Sequence, residues 1–145
     1  MAERTDAPIL LRLAYQAMLK AGLPADEVLA RAHISHTWLN TDSMVRTPFA
    51  GQRLFWQALE DVSKDPHVGL HLGEFMPIYR GQVLEYLVSS SPTFGEGVRR
   101  ALAYQRLLTD AVKVRLVEDE HAVYFAELTD GTHLRHFAEA LVIGS

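Results

Sequence analysis

Apolar residues recur at helical spacing through most of the chain and switch to strict alternation only once. In PILLRLAYQAMLKAG, which opens at Pro8, residues Ile9, Leu10, Leu13, Ala14, Ala17 and Met18 share one face. That predicts an amphipathic helix stopped at Gly22. Pro24 opens a second helix, with Asp26 and Glu27 in the first turn where the helix dipole favours acid. Ser35 is placed to cap a short HTWLN turn. Thr47-Pro48 caps and opens FAGQRLFWQALEDVS, and Asp65-Pro66 does the same for HVGLHLGEF. VLEYLV continues the helical pattern. Thr93 and Glu96 form a capping-box pair, so FGEGVRRALAYQRLLTDAV is predicted as one long helix. Gly97 in its first turn weakens it by about 1 kcal/mol relative to alanine.

The period then changes to two. Val112, Val114 and Leu116 alternate with Lys113 and Arg115, the chain turns at Glu118-Asp119-Glu120, and AVYFAEL resumes the alternation. This predicts a β-hairpin with one buried face. After Asp130-Gly131, HLRHFAEALVIGS places Leu134, Phe137, Ala138, Leu141 and Val142 on one face of a final helix. The fold class is therefore α+β: a mostly helical N-terminal part and a C-terminal hairpin packed against helices. One hairpin makes a poor sheet, so the sheet is expected to be incomplete within these residues.

The chain has 145 residues, enough for one domain with a real core. It has no cysteine, which excludes disulfides, thiolate zinc sites and cysteine nucleophiles. The formal charge is −4, from 14 basic and 18 acidic residues, the wrong sign for binding DNA mainly through phosphate. The opening MAERTDAPILLRLAYQ carries Glu3, Asp6 and Arg12, so neither a secretory signal nor a membrane span is expected, and the cytoplasm is the expected location.

Residues 24–42 raise a DNA-binding helix-turn-helix as one reading. A close helix crossing wants a small residue in the first helix and glycine at the turn, but those places hold Leu29 and His33. The second helix would be HTWLNTD, without lysine or arginine and with Trp38 and Leu39 suited to burial. The reading favoured by these residues is a helical pair packed into the core.

Among the seven histidines, His67 and His71 share a helix face in HVGLH, without the glutamate of a zinc protease or a third ligand nearby. His33/His36 and His133/His136 are three apart and equally unsupported as ligands, so no metal is expected. His133 and His136, beside Arg135, can instead line a pocket at the hairpin-to-helix junction. Ser89-Ser90-Ser91 lacks a nucleophile elbow, and GLHLGEF lacks the Lys-Ser/Thr of a phosphate loop. No enzyme and no cofactor are expected.

The residues best suited to hold a small molecule lie between Met76 and Leu108. Tyr79, Arg80 and Gln82 sit at a loop–helix junction, where arginine can hold a carboxylate or phosphate bidentately. Tyr86, Tyr104 and Gln105 can supply an aromatic wall and directed hydrogen bonds. The alternative is that the tyrosines are core residues and Arg80 is solvated. Arg99, Arg100 and Arg106 read as a solvated helix face or an interface to another domain.

Three stretches carry a resemblance: AGLPADEVLARAHI (residues 21–34), DPHVGLHLGE (65–74) and SSSPTFGEGVRRALAYQRLLTD (89–110). In order and spacing the chain resembles, over roughly residues 8–142, the N-terminal arabinose-binding-like regulatory domain of AraC/XylS-type bacterial transcription regulators. Departures are His33, where that branch often has glycine, and Phe94 and Gly97 in place of more usual aliphatic and alanine positions. The resemblance implies an effector-binding domain spanning residues 1–145, followed in full members by further strands and a basic domain with two helix-turn-helix motifs. It implies a small-molecule effector, often with homodimerisation, contact with DNA only through that other domain, no membrane and no catalysis. The alternatives are a pure oligomerisation or interaction module, and a helix-turn-helix DNA binder using residues 24–42.

Overall fold

The structure, a computed structural model, describes residues 5–40, 46–77, 80–110, 113–128 and 135–144. Helix α1 (Pro8–Lys20) buries Leu10, Ala14, Ala17 and Met18 in one stripe, with Ile9 and Leu13 half-buried at its margin. It stops in a Schellman turn. Gly22 takes φ 72°, and the Leu23 N–H donates to the Met18 carbonyl at 2.9 Å. Helix α2 (Ala25–Arg31) stops in the same way, with the Ile34 N–H donating to the Leu29 carbonyl at 2.9 Å. Here the left-handed residue is His33, at φ 56°. A side chain in that conformation carries a steric cost on the order of 1 kcal/mol that glycine avoids.

Ser35 then accepts from the Thr37 N–H and starts a 3-10 turn over His36–Leu39. The second helix of a DNA-reading pair is thus a single turn of 4 residues. Trp38 and Leu39 on it are half-buried, and Leu39 packs against the core. Over the described residues 24–40 the pair packs into the core and no recognition helix follows α2; Thr41 and Asp42 lie outside the described residues.

Thr47-Pro48 does more than open the next helix. It forms strand β2 (Thr47–Pro48), antiparallel to β1 (Thr5–Asp6), and Asp6 also bridges Thr109. No periodicity marks strands this short. Helix α3 (Phe49–Ser63) follows at once and buries Phe55, Trp56, Ala58 and Leu59. Asp65 sets the start of α4 (Val68–Gly73), accepting from the His67 N–H at 2.8 Å while its other oxygen meets His71 Nδ1 at 2.6 Å.

The glycines of GLHLG seat α4 on the last helix, α7 (Arg135–Ile143). A methyl group at Gly69 would collide with the His136 carbonyl oxygen, and one at Gly73 would lie 2.8 Å from Ile143 Cβ. Helices α5 (Val83–Ser89) and α6 (Phe94–Ala103) cross in the same manner, since a Cβ on Gly97 would lie 2.8 Å from the Val88 carbonyl oxygen. What Gly97 loses in helix propensity is therefore matched by a close helix contact. Half of the capping box is present: Thr93 Oγ1 accepts from the Glu96 N–H at 3.2 Å, while the Glu96 carboxylate accepts from the Thr93 hydroxyl at 3.4 Å.

Helix α6 ends at Ala103, nine residues before the predicted Val112. Long-range partners win over the local period there. After a 3-10 turn at Gln105–Leu107, Leu108 accepts from Ala7 and the Asp110 N–H donates to Thr5. The hairpin pairs β3 (Lys113–Glu118) with β4 (Val123–Leu128), in register from Lys113 opposite Leu128 to Glu118 opposite Val123. Its turn lies at Asp119–Ala122, just past the predicted one, because Asp119 Oδ1 accepts from the N–H groups of His121 and Ala122 at 2.8 Å. Val114 and Leu116 face inward, half-buried.

On α7 the buried residues are His136, Phe137, Ala138, Ala140 and Leu141. Val142, predicted on the buried face, is 48% exposed, because the α4 crossing turns Ala140 inward instead. Leu134 lies outside the described residues. The whole is a mostly helical α+β fold with an incomplete sheet. Among the described residues no helix is long and apolar enough to cross a membrane.

His33→Gly is expected to stabilise the protein. Relief of the left-handed side chain, less the extra freedom glycine gives the unfolded chain, leaves about 0.5–1 kcal/mol. A thermal melt should rise by roughly 1–4 °C, and an unchanged or lower midpoint would refute the strain.

Candidate functional site

A cavity of about 270 Å³ lies between α1, the turn after α2 and the first half of α3. Its inner wall is Trp56, Met76 and Phe137, each 1% exposed. Its outer side is formed by His33, Trp38 and Leu54, with His33 and Leu54 exposed. The Trp56 ring stacks on Phe137 at 6.1 Å and meets Phe55 edge-on at 5.1 Å. The indole N–H of Trp56 donates to Gln52 Oε1, one turn earlier on α3, at 2.8 Å. Among the described residues, no aspartate, glutamate, lysine or arginine lines this cavity.

Behind Gln52 sits a buried carboxyl. Asp6 is 0% exposed; Thr109 Oγ1 donates to its Oδ1, Gln52 lies close enough to favour its charged form, and its Oδ2 has no hydrogen-bond partner among the described residues. Burial pushes the Asp6 carboxyl above its ordinary range, against the pull of Thr109, Gln52 and the Arg46 guanidinium. Arg46 ties the same corner together. It donates to Thr5 Oγ1 at 2.7 Å, to the Thr5 carbonyl at 2.9 Å and to the Leu107 carbonyl at 3.1 Å, and stands 3.7 Å from Asp110. Asp6 and Arg46 were not singled out in the sequence, and no local signal marks either, since their partners lie 41 to 103 positions away.

Thr109 also lines a second cavity of about 270 Å³, enclosed by Val88, Phe94, Val98, Leu102, Val114 and Leu141 among others. Gln105 is part of that wall. Its amide copies a strand edge, donating to the Val114 carbonyl at 2.9 Å and accepting from the Val114 N–H at 2.8 Å. The two cavities thus share one polar chain: Gln52, Asp6, Thr109.

The residues proposed from sequence are spread over several elements. Tyr79 and His133 lie outside the described residues. Arg80 is exposed, Gln82 is half-buried at the N-cap of α5, and Tyr86 on α5 is 69% exposed. Tyr104, at the end of α6, is 54% exposed. His136 is buried on α7, its Nε2 paired with Glu60 Oε2 at 2.7 Å and its Nδ1 facing Glu139 Oε2 at 3.5 Å without a hydrogen bond. Of the six that are described, Gln105 alone lines one of these two cavities.

The sequence matches the family described as the arabinose-binding domain of AraC transcription regulator, N-terminal, over residues 22–145. The chain belongs to that family. No curated protein and no solved structure matches it. The family is one of regulatory ligand-binding domains rather than enzymes. In this AraC regulatory domain, α1 lies ahead of the matched range, yet it supplies Leu10, Leu11 and Ala14 to the first cavity.

Two measurements probe these contacts. Gln105→Leu strands both backbone groups of Val114 and should cost about 1–3 kcal/mol in urea denaturation. No loss would mean that the amide does not hold β3. Asp6 has a raised pKa when folded, so between its ordinary value of 3.8 and that raised value the native state holds the extra proton. Its contribution to stability therefore falls as pH rises through that window. The stability of Asp6→Asn relative to wild type should grow as pH rises above the ordinary value of 3.8, through the raised one, and then level off. Asp26 and Asp65, held low by His36 and His71, are unchanged in both proteins and drop out of the difference. A flat or falling difference would contradict the raised pKa.

Proposed function

We propose that this chain is the effector-sensing part of an AraC-type transcription regulator and that the cavity between α1 and α3 is its effector site. The observation that carries the reading is the linkage of that cavity to the rest of the domain. Gln52 on its wall contacts Asp6, and Asp6 contacts Thr109, which lines the second cavity beside the hairpin. A molecule that contacts the cavity wall differently in two arrangements of this chain biases their populations. A DNA-binding domain elsewhere in the polypeptide then responds through linkage. The protein works in the cytoplasm, contacts DNA only through that other domain and performs no catalysis.

Dimerisation is a second reading. It is supported by the exposed apolar side chains of Val83, Tyr86 and Phe94 on α5 and α6, with Phe94 76% exposed. The two readings are compatible in one regulator.

A thermal-melt screen against sugars, amino acids, polyamines, fatty acids and nucleotides tests sensing. A ligand at 100 times its dissociation constant adds about 2.7 kcal/mol, expected to appear as a rise of several degrees at roughly 2–4 °C per kcal/mol. A flat screen together with a concentration-dependent mass would replace the sensor by a pure dimerisation module.

A further inference from the structure

We infer that the cavity between α1 and α3 takes a predominantly apolar molecule, of medium-chain acyl or single-ring aromatic size, with one polar group at the His33 side, and not a sugar. This rests on the cavity being the effector site. The lining holds no residue of fixed charge among the described residues, so an ionised group carried into it would be desolvated without compensation. Any charged head must stay at the outer side, where His33 is exposed and its ring has no hydrogen-bond partner among the described residues. The inner wall of Trp56, Met76 and Phe137 offers aromatic and thioether surface. The one polar atom of that wall, the Trp56 indole N–H, is already donated to Gln52.

A pentose carries a hydroxyl on nearly every carbon, and each one buried needs a partner. Among the described residues the polar side-chain groups available, besides the Trp56 indole, are those of His33, Trp38, Thr47 and Gln52, with the Trp38 indole N–H a single donor at the outer side. Gln52 is engaged by Trp56 and Asp6, and Thr47 Oγ1 lies 3.4 Å from the Asp6 carbonyl. The cavity therefore rewards hydrocarbon and leaves a polyol short of partners. Its volume of about 270 Å³ is under twice that of an apolar protein cavity that admits benzene, roughly 150 Å³. That is room for a body on the order of ten carbons.

The cavity carries its own reporters and its own plug. The chain has 2 tryptophans, Trp38 and Trp56, and both line it. Gly51, on the third position of α3, also lines it, and a Cβ built there meets nothing within 4 Å. A larger residue at Gly51 would fill the space while improving helix propensity.

The test is a tryptophan-fluorescence titration of the chain with octanoic acid and 3-phenylpropanoic acid, set against L-arabinose and L-arginine. It is repeated on Gly51→Leu and, as a second filling variant from the half-buried face of α1, on Leu11→Trp; thermal melts confirm that each is folded. The expected result is saturable change with at least one apolar acid, none with arabinose or arginine, and at least tenfold weaker binding in Gly51→Leu at an undiminished melting temperature. Saturable binding of arabinose or arginine that is lost in Gly51→Leu, with no response to the acids, would overturn the ligand class and leave the sensor standing. Equal binding of the acids to wild type and both filled variants would remove this cavity as their site. No response to any of the four overturns the class as well, and the broader melt screen then decides separately whether the domain senses anything.

Discussion

A carboxyl buried away from water has to be supplied with donors, and in this domain that requirement falls on Asp6. The residue sits where the N-terminal strand, the strand before α3 and the segment after α6 meet. Thr109 donates to its Oδ1, Gln52 lies beside it, its Oδ2 stays without a hydrogen-bond partner among the described residues, and Arg46 gathers the carbonyls around it. Losing one partner of such a group costs far more than the contact contributes, because the buried polar atom stays behind. Three chain segments are thereby held in one arrangement. That arrangement ends α6 at Ala103, sets the start of α3 and brings Gln105 beside the hairpin.

The second constraint is steric. Gly69 and Gly73 let α4 lie directly on α7, and Gly97 does the same for α6 on α5. With α7 seated, Phe137 stacks on Trp56 and forms the floor of the first cavity. The cavity exists because large rings meet there at fixed angles while Gly51 and Ala14 leave space unfilled. A close-packed interior tolerates few such voids, and small-molecule pockets are lined mainly by apolar and aromatic side chains of this kind.

Membership of the AraC regulatory-domain family makes this domain regulatory, while the lining of the cavity bears on the effector class we propose for it. The family name speaks of a sugar; the walls here offer aromatic rings, a thioether and few free polar atoms. Specificity in such a pocket arises as much from what is left unpaired as from what is contacted.

Much of the fold was legible in the residues themselves. Pro8, Gly22, Ser35, Asp65, the Thr93–Glu96 box and the alternation after Val112 each act through neighbours a few positions away, and each marks an element close to where it lies. Local chemistry of this kind is written in the order of the chain. The family, too, was legible from three short stretches. The candidate site was not. Of the residues chosen for their chemistry, Gln105 reached a cavity wall, whereas Asp6, Arg46, Gln52 and Trp56 drew no attention. Burial and pairing depend on partners tens of residues distant, and a side chain's type does not state its depth. Only the tertiary structure could decide that Val142 faces solvent, that His136 is buried against Glu60, and that a neutral cavity opens beside an aspartate sealed from water.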